Sequence, residues 1–260
     1  ARPVNSPLNF TRAYSNYAVK CAFDPQTPNN DGCFRPITLL APEGSIVKPR
    51  RPAPVWGRHL TGHYLPMLVL AALARMIPER VIAESGSPLW NVYFTGEQPD
   101  GRRYVRMFFM NGGHGAAAAH DGPSCLSFPS NVATQPVEQF ENAVPMLITE
   151  KALIAGSGGA GRMRGGLGQR LSFRVVGETP GTATLRHERD KHPPRGLLGG
   201  EAGRGGRDLV NGAPVPAKAR IVLAPGDVIT FETPGGGGFG PAAERAPDAA
   251  ARDATEGYVT

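Results

Sequence analysis

The stretch GSGGAGRMRGGLG, residues 156–168, decides how the rest of the chain is read. Seven of its thirteen residues are glycine, and Arg162 and Arg164 carry its only charges. Gly156, Gly158 and Gly161 satisfy G-x-G-x-x-G, the spacing of a dinucleotide-binding turn. That motif works only where a strand feeds a helix whose N-terminus meets the pyrophosphate. Here Gly165, Gly166 and Gly168 follow, and they would break such a helix. A P-loop needs Gly-Lys-Ser/Thr, and the stretch has no lysine. Two readings stand. Glycine permits positive φ and close backbone approach, which makes the stretch a structural bend packed under the next strand, with both arginines solvated. Alternatively, successive amides form an anion-binding nest, with Arg162 and Arg164 clamping a carboxylate or phosphate.

Working outward, the pattern has period two on both sides. WNVYFTG (90–96) and RRYVRMFFM (102–110) read as strands joined by the turn EQPDG. RLSFRVVG (170–177) and TATLRHE (182–188) form a second hairpin candidate across ETPG. ARIVLAPGDVITFETPGG (219–236) forms a third, turning at APGD. Further upstream, GHYLPMLVLAALARMI (62–77) is the best helix: Leu65, Val69, Ala72, Leu73 and Met76 recur at helical spacing. The face around Met67 and Leu70 is apolar too, which predicts burial on most sides. Residues 1–55, broken by prolines that favour extended geometry, read as an extended Pro/Gly-rich arm. The tail, 241–260, is polar and helix-leaning. The expected fold is therefore α+β and β-rich: mixed or antiparallel strands in a body over 90–240, one long buried helix over 62–77, and the arm.

Composition bounds the function. The 260 residues can bury a sizeable core. Gly and Pro number 34 and 26, but they punctuate apolar runs without a repeat, as turns do. The net charge of +6 comes from 23 Arg and 5 Lys spread along the chain. A nucleic-acid binder would gather them in a stripe, so no nucleic-acid partner is expected. Three cysteines without a C-x-x-C pair give neither a disulfide framework nor a zinc motif. The longest apolar run, Leu65–Leu73, is too short to cross a bilayer. No membrane partner and a cytoplasmic location are expected.

Chemistry-bearing residues gather in NGGHGAAAAHDG (111–122), directly after a predicted strand. His114, His120 and Asp121 are the candidate catalytic residues, since two imidazoles and a carboxylate can move protons near neutral pH or ligate a metal. Their spacing is no standard zinc signature, and an exposed Gly/Ala loop ending in an Asp-Gly turn is the plain alternative. His59 and His63 have the H-x-x-x-H spacing, but Leu60 stands where a zinc protease needs Glu. Glu138 and Glu141 sit at i, i+3 in a segment read as a solvated turn. TPGGGGFG (233–240) has no charged neighbour but Glu232 and reads as close backbone packing.

Taken together and in order, several of these stretches resemble the hydantoinase B/5-oxoprolinase family. They are NNDGCFRPITLLAPEGSIVKP (29–49), PAPVWGRHLTG (52–62), LAALARMIPERVIAESG (70–86), NGGHGAAAAHDG, SGGAGRMRGGLG (157–168), PPRGLLGGEAG (193–203) and TPGGGGFG with the following ER (233–245). The chain departs from the pattern at Gly156, where the family usually has Asp, and at Gly240-Pro241, where it tends to read Gly-Asp-Pro. The resemblance implies a B-type subunit that opens a cyclic amide (a hydantoin, 5-oxoproline or lactam) together with an A-type partner. That partner carries ATP with Mg2+ and phosphorylates the amide. It also implies that this chain is the C-terminal half of such a subunit, with a divalent metal and its ligands in the half upstream. A relative carboxylates ketones, so the resemblance leaves hydrolase, carboxylase and non-catalytic scaffold half open.

Overall fold

The computed structural model describes residues 3–259. Its elements run, in order, α1 (Leu8–Phe23), α2 (Asp31–Phe34), α3 (His59–Gly62), α4 (Tyr64–Leu73), β1 (Trp90–Glu97), β2 (Arg103–Met110), α5 (Val137–Glu141), β3 (Met146–Leu153), β4 (Gln169–Val175), β5 (Gly181–Leu185), β6 (Arg207–Val210), β7 (Ala213–Val215), β8 (Arg220–Leu223), β9 (Val228–Glu232) and α6 (Pro247–Thr255). The α+β class holds. Every pairing within the two sheets is antiparallel, in the orders β2-β1-β5-β8 and β3-β4-β9-β6-β7.

One apolar core joins the two sheets. Trp90, Val92, Phe94, Phe108 and Met110 from the first meet Leu171, Phe173, Val175, Ile229 and Phe231 from the second. Phe140 of α5 plugs the middle, edge-on to Phe108 and Phe173 at centroid distances of 5.1 and 5.4 Å. Such tilted contacts add about 0.5–1.5 kcal/mol each beyond area burial.

The β1–β2 hairpin forms as read, with Trp90 opposite Met110. The other two hairpins do not. β4 pairs with β3 and β9, whereas β5 pairs with β1 and β8, so the turn at 177–180 carries the chain from one sheet to the other. The APGD turn does the same between β8 and β9. Alternation marks which side of a strand is buried, and in a sandwich an inward face points to one core from either layer. The periodicity is therefore equally satisfied by a hairpin and by a crossing between sheets.

The N-terminal arm and the helix also differ from expectation. Residues 8–23 are the longest helix, not extended chain. Its packed face is Thr11, Ser15, Asn16, Ala18 and Ala22, small and polar enough to leave no apolar stripe. The helix expected over 62–77 is shorter, the ten-residue α4, with α3 ending at Gly62 just before it. It buries Pro66, Met67 and Leu70, while Leu68 and Met76 are exposed. With both faces apolar, the spacing did not say which would be covered. The tail is helical as read, in α6.

Between helices and sandwich lies the glycine-rich part of the chain, buried yet outside any regular element. Segment 234–238 runs at its centre. The amides of Gly235, Gly236, Gly237 and Gly238 donate in turn to the carbonyls of Arg204, Gly166, Glu84 and Glu201. After three residues the partner is again the 201–204 segment, the period of a polyproline II-type helix. A Cβ on Gly236 would overlap the His114 carbonyl, and one on Gly235 the Ser157 carbonyl. Glycine is required here because backbones lie against backbones. The GSGGAGRMRGGLG stretch is one member of this bundle.

Candidate functional site

Bundle membership settles which reading of 156–168 the structure supports. The amide of Gly159 donates to Gly236 O (2.8 Å), that of Gly165 to Gly159 O (2.9 Å) and that of Gly166 to His114 O (2.8 Å). These donors are spent inside the protein, so they form no nest and fit no nucleotide phosphate. Arg164 is buried. Its Nε donates to Asp253 Oδ1 at 3.2 Å, its Nη1 to Gly165 O at 2.7 Å, and its guanidinium lies over the Tyr258 ring. Arg162 donates to Ala118 O at 3.3 Å. Of the expected anion clamp, Arg164 is thus taken up by the protein's own groups, whereas Arg162 makes this one side-chain bond and its Nε has no partner among the described residues.

Asp121 belongs to the same structure. Arg245 grips both its oxygens at 2.9 Å, and the Arg164 amide donates to Oδ1 at 2.6 Å. Arg245 Nη2 also meets Asp253 Oδ2 at 2.6 Å. Asp121, Arg245, Asp253 and Arg164 therefore alternate in sign and lock α6 onto the glycine bundle. Burial alone would raise the Asp121 pKa. The hydrogen bonds from Arg245 and the Arg164 amide outweigh it and hold the carboxyl below its usual range. His120 is exposed and bonded only to its neighbour's carbonyl. The three loop residues do not converge, and among the described residues no three His, Cys, Asp or Glu side chains are placed to hold a metal ion.

His114 lines a cavity of about 500 Å3, with Tyr17, Cys21, Arg80, Ser127 and Asn131. Three hydrogen bonds position His114: its amide donates to Pro123 O at 2.9 Å, its carbonyl accepts from the Gly166 amide, and its Nδ1 lies 2.9 Å from Gly115 O. A carbonyl oxygen can only accept, so Nδ1 carries the proton and neutral His114 presents Nε2 as a free base. No described residue hydrogen-bonds Nε2. Phe128 stands edge-on to the ring at 5.2 Å. Burial lowers the imidazole pKa, partly offset by the Gly115 bond. The neutral form holds at neutral pH.

The family profile Hydantoinase B/oxoprolinase matches residues 1–242. The chain belongs to that family. This hydantoinase B-family chain is 34% identical over 249 residues to an uncharacterised protein of Methanocaldococcus jannaschii, covering 94% of this chain and 43% of that one. It is 30% identical over 251 residues to the 5-oxoprolinase PfmaA of Pestalotiopsis fici, covering 91% of this chain and 19% of that one. Its fold matches the crystal structure of the ATP-dependent caprolactamase of Pseudomonas jessenii with a TM-score of 0.86 at 22% identity, over 99% of this chain and 47% of that one. The hydantoinase B-family chain thus spans less than half the length of each.

Sequence reading missed the other side of the His114 cavity. Tyr17 and Cys21 are one turn apart on α1, in a segment read as irregular. Burial, with Cys21 adding, pushes the Tyr17 hydroxyl up to about 12. The i, i+4 spacing of Tyr17 and Cys21 was a usable signal only once a helix was granted. Two further histidines lie beside this helix pair: His63 is buried at the α3–α4 junction and His59, half-buried, opens α3. Burial pushes His63 down to about 3, and burial with Arg186 and Arg58 nearby pushes His59 down to about 4. His59 Nε2 meets Asn91 Nδ2 at 3.1 Å and His63 Nδ1 accepts from the Leu89 amide at 3.4 Å, so both are held by the fold.

Proposed function

We propose that this chain is part of an ATP-dependent hydrolase that opens a cyclic amide, working with an A-type ATP-binding partner and with the N-terminal half of a B-type subunit. The observation that carries this is the likeness, along nine-tenths of the chain, to a protein named 5-oxoprolinase. The chemistry explains the division of labour. An amide carbonyl is a poor electrophile, and ATP on the partner, with Mg2+, supplies a phosphoryl group to its oxygen that makes the carbon open to water; the C–N bond then breaks as the ring nitrogen takes a proton, and the acyl phosphate left behind loses phosphate to a second water. On this chain, His114 is the residue suited to the remaining step: its Nε2 takes a proton from the attacking water. Asp121 and Arg164 hold the loop and the bundle in place around it. In this reading a divalent metal belongs to the upstream half, as the family resemblance implies.

The test is ADP release by the assembled complex with 5-oxoproline, hydantoins, lactams, and ketones with bicarbonate. Substrate-dependent ADP and ring-opened product are expected only from the full mixture, the isolated chain being inactive. ADP formation that needs bicarbonate and a ketone would make it a carboxylase instead. Unchanged turnover in His114→Asn would leave this chain a scaffold.

A further inference from the structure

The His114 cavity holds a charge that the proposed reaction does not use. Arg80 ends a single 3₁₀ turn over residues 78–80 and lines the cavity. The chain beyond it is pinned to the loop that follows His114: Ile82 bridges Ala117, and the Ala83 amide donates to Ala116 O at 2.8 Å. Arg80 Nη1 donates to Ala22 O and Phe23 O, at 3.4 Å each. These carbonyls end α1, where a helix leaves its last carbonyls without internal partners. One nitrogen thus anchors the guanidinium. Nε and Nη2 share another edge of it, and neither has a partner among the described residues. Among the described residues that line the cavity, none is Asp or Glu, and Arg80 brings its one permanent charge.

The unspent edge sets the chemistry of what fits. Two parallel N–H donors on a planar group that is always charged match the two oxygens of a carboxylate or phosphoryl group. A neutral amide or ketone offers one oxygen and no charge. Leu70, Ile82, Leu126 and Phe128 supply apolar wall, beside which an ion pair is stronger than in water. The volume, about 500 Å3, is that of a small-molecule site. We infer that Arg80 is the anion-recognising residue of this cavity, and that its ligand carries a carboxylate or phosphoryl oxyanion on a small apolar body. The inference deepens the hydrolase reading and rests on it for what His114 does to that ligand. The oxyanion itself follows from Arg80 and the walls alone. Under that reading Arg80 determines specificity and His114 is the base.

The test is titration of the full 260-residue chain, followed by calorimetry, with benzoate, phenyl phosphate and benzamide. The three share a ring and differ in charge, and the experiment needs neither ATP nor a partner. Binding of at least one anion is expected, with benzamide weaker by about tenfold or more, the worth of hydrogen bonds to a charged group. The preferred anion tells a carboxylate subsite from a phosphoryl one. Arg80→Gln is expected to bring the anions down to the benzamide level, and Arg75→Gln, an exposed arginine outside the cavity lining, to change nothing. No binding of either anion, or equal binding of benzamide, overturns the inference without any variant. A lower melting temperature in Arg80→Gln with the preference for anions intact makes Arg80 only a cap on α1 and overturns it too. An assembled complex whose Arg80→Gln form opens the amide with unchanged kcat and KM overturns the subsite and leaves the hydrolase reading standing. A chain that binds the anion through Arg80, in a complex that opens no amide, does the reverse.

Discussion

At the scale of single residues, His114 is the base of the proposed reaction. His114→Asn is expected to lower turnover of the assembled complex by about 10²–10⁴-fold while leaving the melting temperature nearly unchanged. The proposed base works unprotonated, and burial holds its pKa below the ordinary imidazole value. The rate is therefore expected to be flat through neutral pH and to fall only on acidification below 6.5, read from kcat/KM against pH. His59 and His63 make a different prediction. Their folded pKa values, about 4 and about 3, lie below the unfolded 6.5. Protonation thus favours the unfolded chain: the stabilisation is full above pH 6.5 and is lost as pH falls toward those values, by about 1.4 kcal/mol per pH unit for each. Urea unfolding at pH 7 and pH 5 measures it. The place of His114 after a strand was legible in the sequence, because the alternation of β2 marks where the loop begins. The roles of Asp121 and Arg164 were not, since their partners Arg245 and Asp253 lie 124 and 89 residues along the chain.

At the scale of elements, α6 is held by charge more than by apolar contact, with Asp253 its one buried residue. Arg245→Ala would leave Asp121 and Asp253 facing one another with a single arginine, at an expected cost of about 3–5 kcal/mol. Thermal unfolding reads the loss, and Arg245→Lys is expected to restore only part of it, because lysine cannot grip both oxygens of Asp121. Burial opposes ionisation of Asp121 but its arginine bonds win, so its contribution is full above the unfolded carboxylate pKa and is lost as pH falls through the lower folded one. Elements declared themselves unevenly in the sequence. The β1–β2 hairpin was legible because a short turn and matched alternation have one solution at an edge. β3, β6 and β7 were not, and neither was α1, whose buried face of Thr, Ser, Asn and Ala has no hydrophobic period to read.

At the scale of the whole molecule, the glycine bundle sets the distance between helices, sandwich and α6. Gly236→Ala would drive a methyl into the His114 carbonyl, and the cost, more than about 4 kcal/mol, is expected to leave little folded protein. Gly101→Ala is the matched control. Its φ is +82° but nothing lies within reach of a methyl, so only the left-handed strain of about 1–2 kcal/mol applies. Soluble yield and melting temperature separate the two. Family resemblance, carried by these same glycines, was legible across the chain even though their packing was not. The bundle also has a spectroscopic signature of its own. Its amides are buried and hydrogen-bonded between segments remote in sequence, yet they have neither α nor β geometry. Circular dichroism will count residues 234–238 and their neighbours as coil, whereas deuterium exchange will find them among the last amides in the protein to give up their protons.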